Sequence, residues 1–240
     1  MIGLGTIINV SAILFGGLLG KLFKKALKKS MQDILMMASG VCVLFLGIGG
    51  ALQEMLIINQ GKLEVSGSMM MIGCFVLGSL LGEWIDIERR MEQFGAWLKV
   101  KTKSEGDTTF IDGFVTTSLT VCIGAMAVVG SIQDGIYGDY SLLAAKAVLD
   151  LIIVLIMTAS MGKGCIFSAV PVGIFQGSIT LLSTVIAPLM TTKALSNLSL
   201  TGSMLIFCVG VNLVWGKKIK VANMLPTIVF AVAWAFLPLS

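Results

Sequence analysis

The sequence predicts an all-α fold, a polytopic transmembrane helical bundle of about eight spans, and three observations predict it. Of 240 residues, 56% are hydrophobic and 12% are charged, against about 25% charged in ordinary soluble domains. Mean hydropathy is +0.97. The charges gather in a few clusters between apolar runs close to the ~20 residues that cross a hydrocarbon core of about 30 Å. This pattern excludes a soluble enzyme, a disordered chain and a disulfide scaffold.

The first span is expected at 2–22. Its basic cluster, Lys21, Lys24, Lys25, Lys28 and Lys29, follows the apolar run instead of preceding it, and no small-residue cleavage site comes before Lys21. That order describes a retained helix and not a secretory signal. Spans at 34–57 and 67–85 complete a first membrane half, 1–85. The charged stretch 86–109 then places Ile87, Met91, Phe94 and Leu98 at i, i+4, i+7 and i+11, the spacing of an amphipathic helix on the inner leaflet. The second half, 110–240, is expected to hold about five spans, at 110–133, 142–161, 165–190, 201–215 and 222–238.

Eight spans sort the basic residues. Fourteen of the 17 fall on one side, with Arg89, Arg90, Lys99, Lys101, Lys103, Lys163, Lys217, Lys218 and Lys220 joining the first cluster. Only Lys62 and Lys193 fall on the other side, and Lys146 lies within a span. Short basic loops stay cytoplasmic, so both termini are expected outside. The net charge of +4 is thereby explained by orientation, without nucleic acid.

Glycine supplies the packing chemistry. Gly16 and Gly20, Gly78 and Gly82, and Gly173 and Gly177 each stand four apart, the small-residue spacing that lets helices approach closely in lipid. Segments 40–50 and 124–135, which include Gly130, are expected to permit local unwinding. Pro171 is expected to kink the sixth span beside Gln176. Ser66-Gly67-Ser68-Met69 and Thr201-Gly202-Ser203-Met204, each followed by an apolar run to Gly82 or Gly216, read as traces of a parallel 4+4 internal repeat.

The composition removes most chemistries. There is no histidine, and the five cysteines have no CxxC spacing. No phosphate-binding glycine loop is present. No metal, no cofactor and no enzymatic activity are expected. An ionisable group deep in a span is costly and marks a functional candidate. Lys146 and Asp150 stand at i and i+4 in one span, Lys146 about 6 Å and Asp150 about 12 Å from its outer end at 1.5 Å per residue. The lysine stem is long enough to reach the interface, whereas the aspartate stem is not. Asp150 is the leading candidate for solute or ion binding. Asn9, Gln133, Gln176 and Asn212 are amides at depth, and Asp134 and Asp139 form an acidic outer loop that attracts cations.

Three stretches carry a resemblance. The opening MIGLGTIINVSAILFGGLLGKLF, the central GAMAVVGSIQDGIYGDYSLLAAKAVLD and the tail GVNLVWGKKIKVANMLP resemble the YdfK/YqgA-like family of uncharacterised bacterial inner-membrane proteins. Gly130, Ser131, Asp134, Gly135, Gly138, Asp139, Lys146 and Asp150 are all in place, while Ala125 stands where the family is expected to carry proline. The resemblance implies an integral bacterial plasma-membrane protein presumed to transport something.

The expected function is a secondary transporter or permease for a small solute or cation, in which one half moves against the other around a midplane Lys146–Asp150 site. A passive ion channel and a non-transporting subunit of a membrane complex are the alternatives. A homodimer is expected, with the lipid bilayer and an unknown solute or ion as partners.

Overall fold

Lipid offers no water to unpaired backbone groups, so apolar runs of this length cross it as helices. The computed structural model describes residues 2–59 and 61–237, and it is all-α apart from one β-hairpin. Helices α1 (Leu4–Ala26) and α2 (Lys29–Met55) lead into the antiparallel strands β1 (Leu56–Asn59) and β2 (Lys62–Val65). Helix α3 (Ser68–Ile85) and the surface helix α4 (Ile87–Lys101) follow. Then come α5 (Phe110–Cys122), α6 (Ala125–Tyr137) and α7 (Ser141–Met161). A 3₁₀ turn, Lys163–Ser168, enters α8 (Ala169–Leu181), and α9 (Ser183–Ile186) leads to α10 (Thr192–Trp215). A last 3₁₀ turn, Val221–Met224, enters α11 (Pro226–Trp234).

Every expected span has a helical counterpart. Among the described residues six helical runs are long and apolar enough to cross a membrane, and α5 with α6 makes a seventh if the two are one span bent by 63°. Val221–Trp234 is a shorter apolar run, and position 238 of the last expected span lies outside the described residues. The hairpin was not anticipated: its strands occupy the end of the expected second span and the connection after it. Helix α4 forms where the 87-91-94-98 spacing places it, with Leu98 buried and Ile87 and Met91 packed on the core.

The linker divides the sequence but not the packed body. Each long helix before it pairs with one after it. Helix α1 lies along α7, α2 along α10, and α3 along α11. Glycine makes these contacts close. A Cβ on Gly16 or Gly20 would meet the Leu151 or Leu155 carbonyl at 2.4 or 2.3 Å, and one on Gly82 would meet the Asn223 carbonyl at 1.7 Å. On α2, Gly47 touches the Phe207 backbone in the same way.

Helix α2 is continuous through 40–50, and Gly40, Gly47 and Gly50 serve packing against α10, not unwinding, while Gly49 faces open space. The expected repeat glycines also play different parts: Gly82 is clasped against Asn223, while Gly216 ends α10 at φ +78 in open space. Pro171 stands three residues past the point where a 3₁₀ turn passes into α8. The helical run continues through this point, and proline there contributes no amide hydrogen to it.

Candidate functional site

The candidate site forms where one span is broken. Helix α5 stops at Cys122 and α6 starts at Ala125, with Gly124 between them at φ +146, a conformation that side-chain-bearing residues avoid. The break ends α5 inside the bundle. Its last carbonyls lose their partners there, and the negative end of its helix dipole faces the interior.

Lys146 answers that end. Its Nζ donates to the Val121 carbonyl at 2.8 Å and also to Asp150 Oδ2, one turn further along α7. Asn9 on α1 donates its Nδ2 to the same carboxylate oxygen at 3.0 Å. Lys146 and Asp150 are only 6% and 3% exposed. The lysine thus turns inward instead of reaching for the interface, because the freed carbonyl and the carboxylate together satisfy its charge. Below the pair, Ile13, Val121, Val154 and Val172 close an apolar layer.

Above the pair, toward the hairpin end, buried polar groups continue. Asp134 is not in an acidic loop: it lies on α6, fully buried, and Oδ2 accepts the Gly5 amide at 3.0 Å in the first turn of α1. There it meets the positive end of that helix. Asp139 does occupy the loop, where the Ser141 hydroxyl and amide donate to it and hold its carboxyl below the usual carboxylate range. Helices α1 and α8 run antiparallel, with Gly17 against Ile166 and Gly173 against Val10. That register carries Gln176 to the level of Thr6 and Asn9. Both amide atoms of Gln176, together with Thr6 Oγ1, Asn9 Oδ1, Ser131 Oγ and Asp134 Oδ1, are buried with no hydrogen-bond partner among the described residues. Gly130 packs on Leu143, whereas a Cβ on Gly177 would meet nothing.

Toward the basic end lies a cavity of about 400 Å³. Helices α2, α5, α7 and α10 line it, with Asp33, Asp112, Thr116, Leu119, Ser160 and Asn212 among the wall residues. Lys217 closes one side, bound to Glu88 at 2.7 Å and to Glu92. Asn212 is therefore not a midplane group. Its Oδ1 accepts the Lys218 and Ile219 amides, both at 2.9 Å, and holds the turn after α10. Gln133 is half-buried on α6 and makes no hydrogen bond to the pair.

This cavity is lined by neither Lys146 nor Asp150. In this conformation the pair is closed upon itself, not open to a hollow as expected from the sequence. Among the described residues no three metal-ligating side chains come together.

Asn223 gives no signal in the sequence, yet it organises the basic end. Its Oδ1 accepts the Glu88 amide at the start of α4, and its Nδ2 donates to Glu83, both at 2.7 Å. The Val121 carbonyl was likewise invisible, although Gly124 lies in a segment expected to unwind.

The helices and the polar groups buried among them define a polytopic α-helical membrane protein. The profile of a family described as protein of unknown function, DUF554, matches residues 4–236, and the chain belongs to that family. It is 30% identical over 224 residues to the uncharacterised membrane protein YdfK of Bacillus subtilis, covering 93% of this chain and 92% of the relative. It is 27% identical over 232 residues to the uncharacterised protein YqgA of Escherichia coli, covering 95% and 94%. No solved structure matches the chain.

Proposed function

We propose that this chain is a secondary transporter for a small solute or cation in a bacterial plasma membrane, its basic end cytoplasmic. The observation that carries the reading is the Lys146–Asp150 pair at the α5–α6 break. It sits between a cavity facing one end and unpaired polar groups leading toward the other. Transporters build their sites at discontinuous helices in this manner, because a broken helix offers free backbone groups and dipole ends within the bilayer.

The moving parts are not the two halves of the sequence, which interlock. Two packed groups are better suited: α1 with α5 through α8, and α2 with α3, α10 and α11. The cavity lies between them, walled by α5 and α7 on one side and α2 and α10 on the other. In the present arrangement a cavity approaches from the basic end, while the pair itself is shut off from both ends. Opening either end requires the pair to part and its charges to find a solute, an ion or water.

Currents on supported membranes carrying the purified protein test this, with Na⁺, K⁺ and a set of small amines and amino acids as probes. The expected outcome is a saturable current in the wild type that Asp150→Asn reduces at least about tenfold, since burying or exposing one charge easily spans 1.4 kcal/mol. Equal currents in both proteins overturn the assignment of the site. Unitary, non-saturating conductance overturns alternating access in favour of a channel.

A further inference from the structure

A second hollow lies on the flank of the molecule. It is an open groove of about 580 Å³ between α4, α5 and α8, walled by Met91, Phe94, Phe114, Ile174, Phe175 and Leu182. Among the described residues that line it, Arg90 is the only charge and Ser178 the only other polar side chain. Arg90 has no ion-pair partner among the described residues, in contrast to Lys217 and Lys220 nearby.

The position of α4 along the membrane normal is marked independently. Trp97 stacks on Phe94 with ring centroids 5.7 Å apart, and Lys101 lies 6.0 Å over the Trp97 ring. Half-exposed tryptophan beside lysine is the chemistry of the headgroup zone. Arg90 therefore stands at headgroup depth, and the groove runs from it past the length of α8 into the apolar zone.

We propose that this groove binds one anionic phospholipid, its phosphate held by Arg90 and one acyl chain laid along Phe114, Ile174 and Phe175. A guanidinium presents a fork of donors suited to phosphate oxygens, and an apolar wall continuous with it suits the attached chain. A second protein helix would need small residues for close backbone approach, and this wall offers no glycine or alanine and only Ser178. The site is separate from the Lys146–Asp150 pair and does not depend on the transport reading.

Native mass spectrometry of the detergent-purified chain tests the proposal, with phosphatidylglycerol and phosphatidylcholine of identical acyl chains as probes. One phosphatidylglycerol is expected to be retained over phosphatidylcholine by roughly fivefold, as for one basic residue meeting an anionic headgroup. Arg90→Ala is expected to abolish the preference, while Arg89→Ala, outside the groove, leaves it intact. Ile174→Trp, which fills the groove, is expected to reduce retention of both lipids. Glycerol phosphate without acyl chains is expected not to compete. Equal retention of the two lipids by the wild type overturns the proposal. So does a preference that survives Arg90→Ala or falls equally with Arg89→Ala, as does a stable dimer that excludes lipid.

Discussion

At the scale of single residues, the charge of Asp150 is compensated three ways: by Lys146, by the Asn9 amide and, through the lysine, by the end of α5. Such a pair is costly to break from one side. Lys146→Met leaves a buried carboxylate unpaired and is expected to destabilise the protein by about 3–5 kcal/mol. The double variant Lys146→Met/Asp150→Asn is expected to recover most of that, read as thermal unfolding in detergent. Additive losses would show that the two side chains act independently. The depth of Asp150 was legible because its short stem cannot leave the helix. The direction of Lys146 was not, because a long stem reaches either way and only a tertiary feature, the freed Val121 carbonyl, decides between them. Asp134 was misplaced for a related reason. Its neighbours Gly135 and Gly138 read as a loop, while its partner, the Gly5 amide, is 129 residues away in sequence.

At the scale of helices, hydropathy revealed where spans lie but not which faces meet. A soluble helix shows its packed face by contrast with its polar one. Here the outward faces are apolar too: Phe45, Ile72 and Val148 all point away from the core. Glycine spacing was the remaining signal, and it identifies a contact face without naming the partner. Gly16 and Gly20 do mark such a face, and α7 is what fills it. Gly20→Leu drives a side chain into the Leu155 carbonyl and is expected to cost at least about 1–3 kcal/mol as α1 and α7 separate. The corresponding change at Gly177, which meets nothing, is expected to be near neutral in the same unfolding assay. The hairpin escaped prediction because Leu56, Ile57 and Ile58 resume the apolar run of α2 just past Gln53 and Glu54, and by hydropathy they read as the end of the same span.

At the scale of the molecule, charge sorting and packing agree. The helix ends that carry the basic clusters gather at one end of the bundle, where Lys217 ties the end of α10 to α4, and Lys220 is tied to Glu83 at 2.5 Å. Burial alone would lower the pKa of Lys217, but the hydrogen bonds and charges of Glu88 and Glu92 outweigh it and hold the amine above its ordinary 10.5. A raised folded-state pKa means that this contribution is complete below the unfolded-state value. It is lost as pH rises through the folded-state one, an alkaline window above about 10.5. Thermal stability is therefore expected to hold through neutral pH and to fall at the alkaline edge, less steeply in Lys217→Met. A wild-type and variant profile of the same slope would remove this link from the account.

The crossed pairing of helices bears on the order of synthesis. When a ribosome has delivered α1, α2 and α3, none of their long-helix partners, α7, α10 and α11, has been made. Their glycine seams must wait in the lipid, single and unfilled, until the rest of the chain arrives. The first three helices are thus placed in the membrane before they are folded against anything, and the C-terminal segments complete a body that the N-terminal ones cannot begin alone.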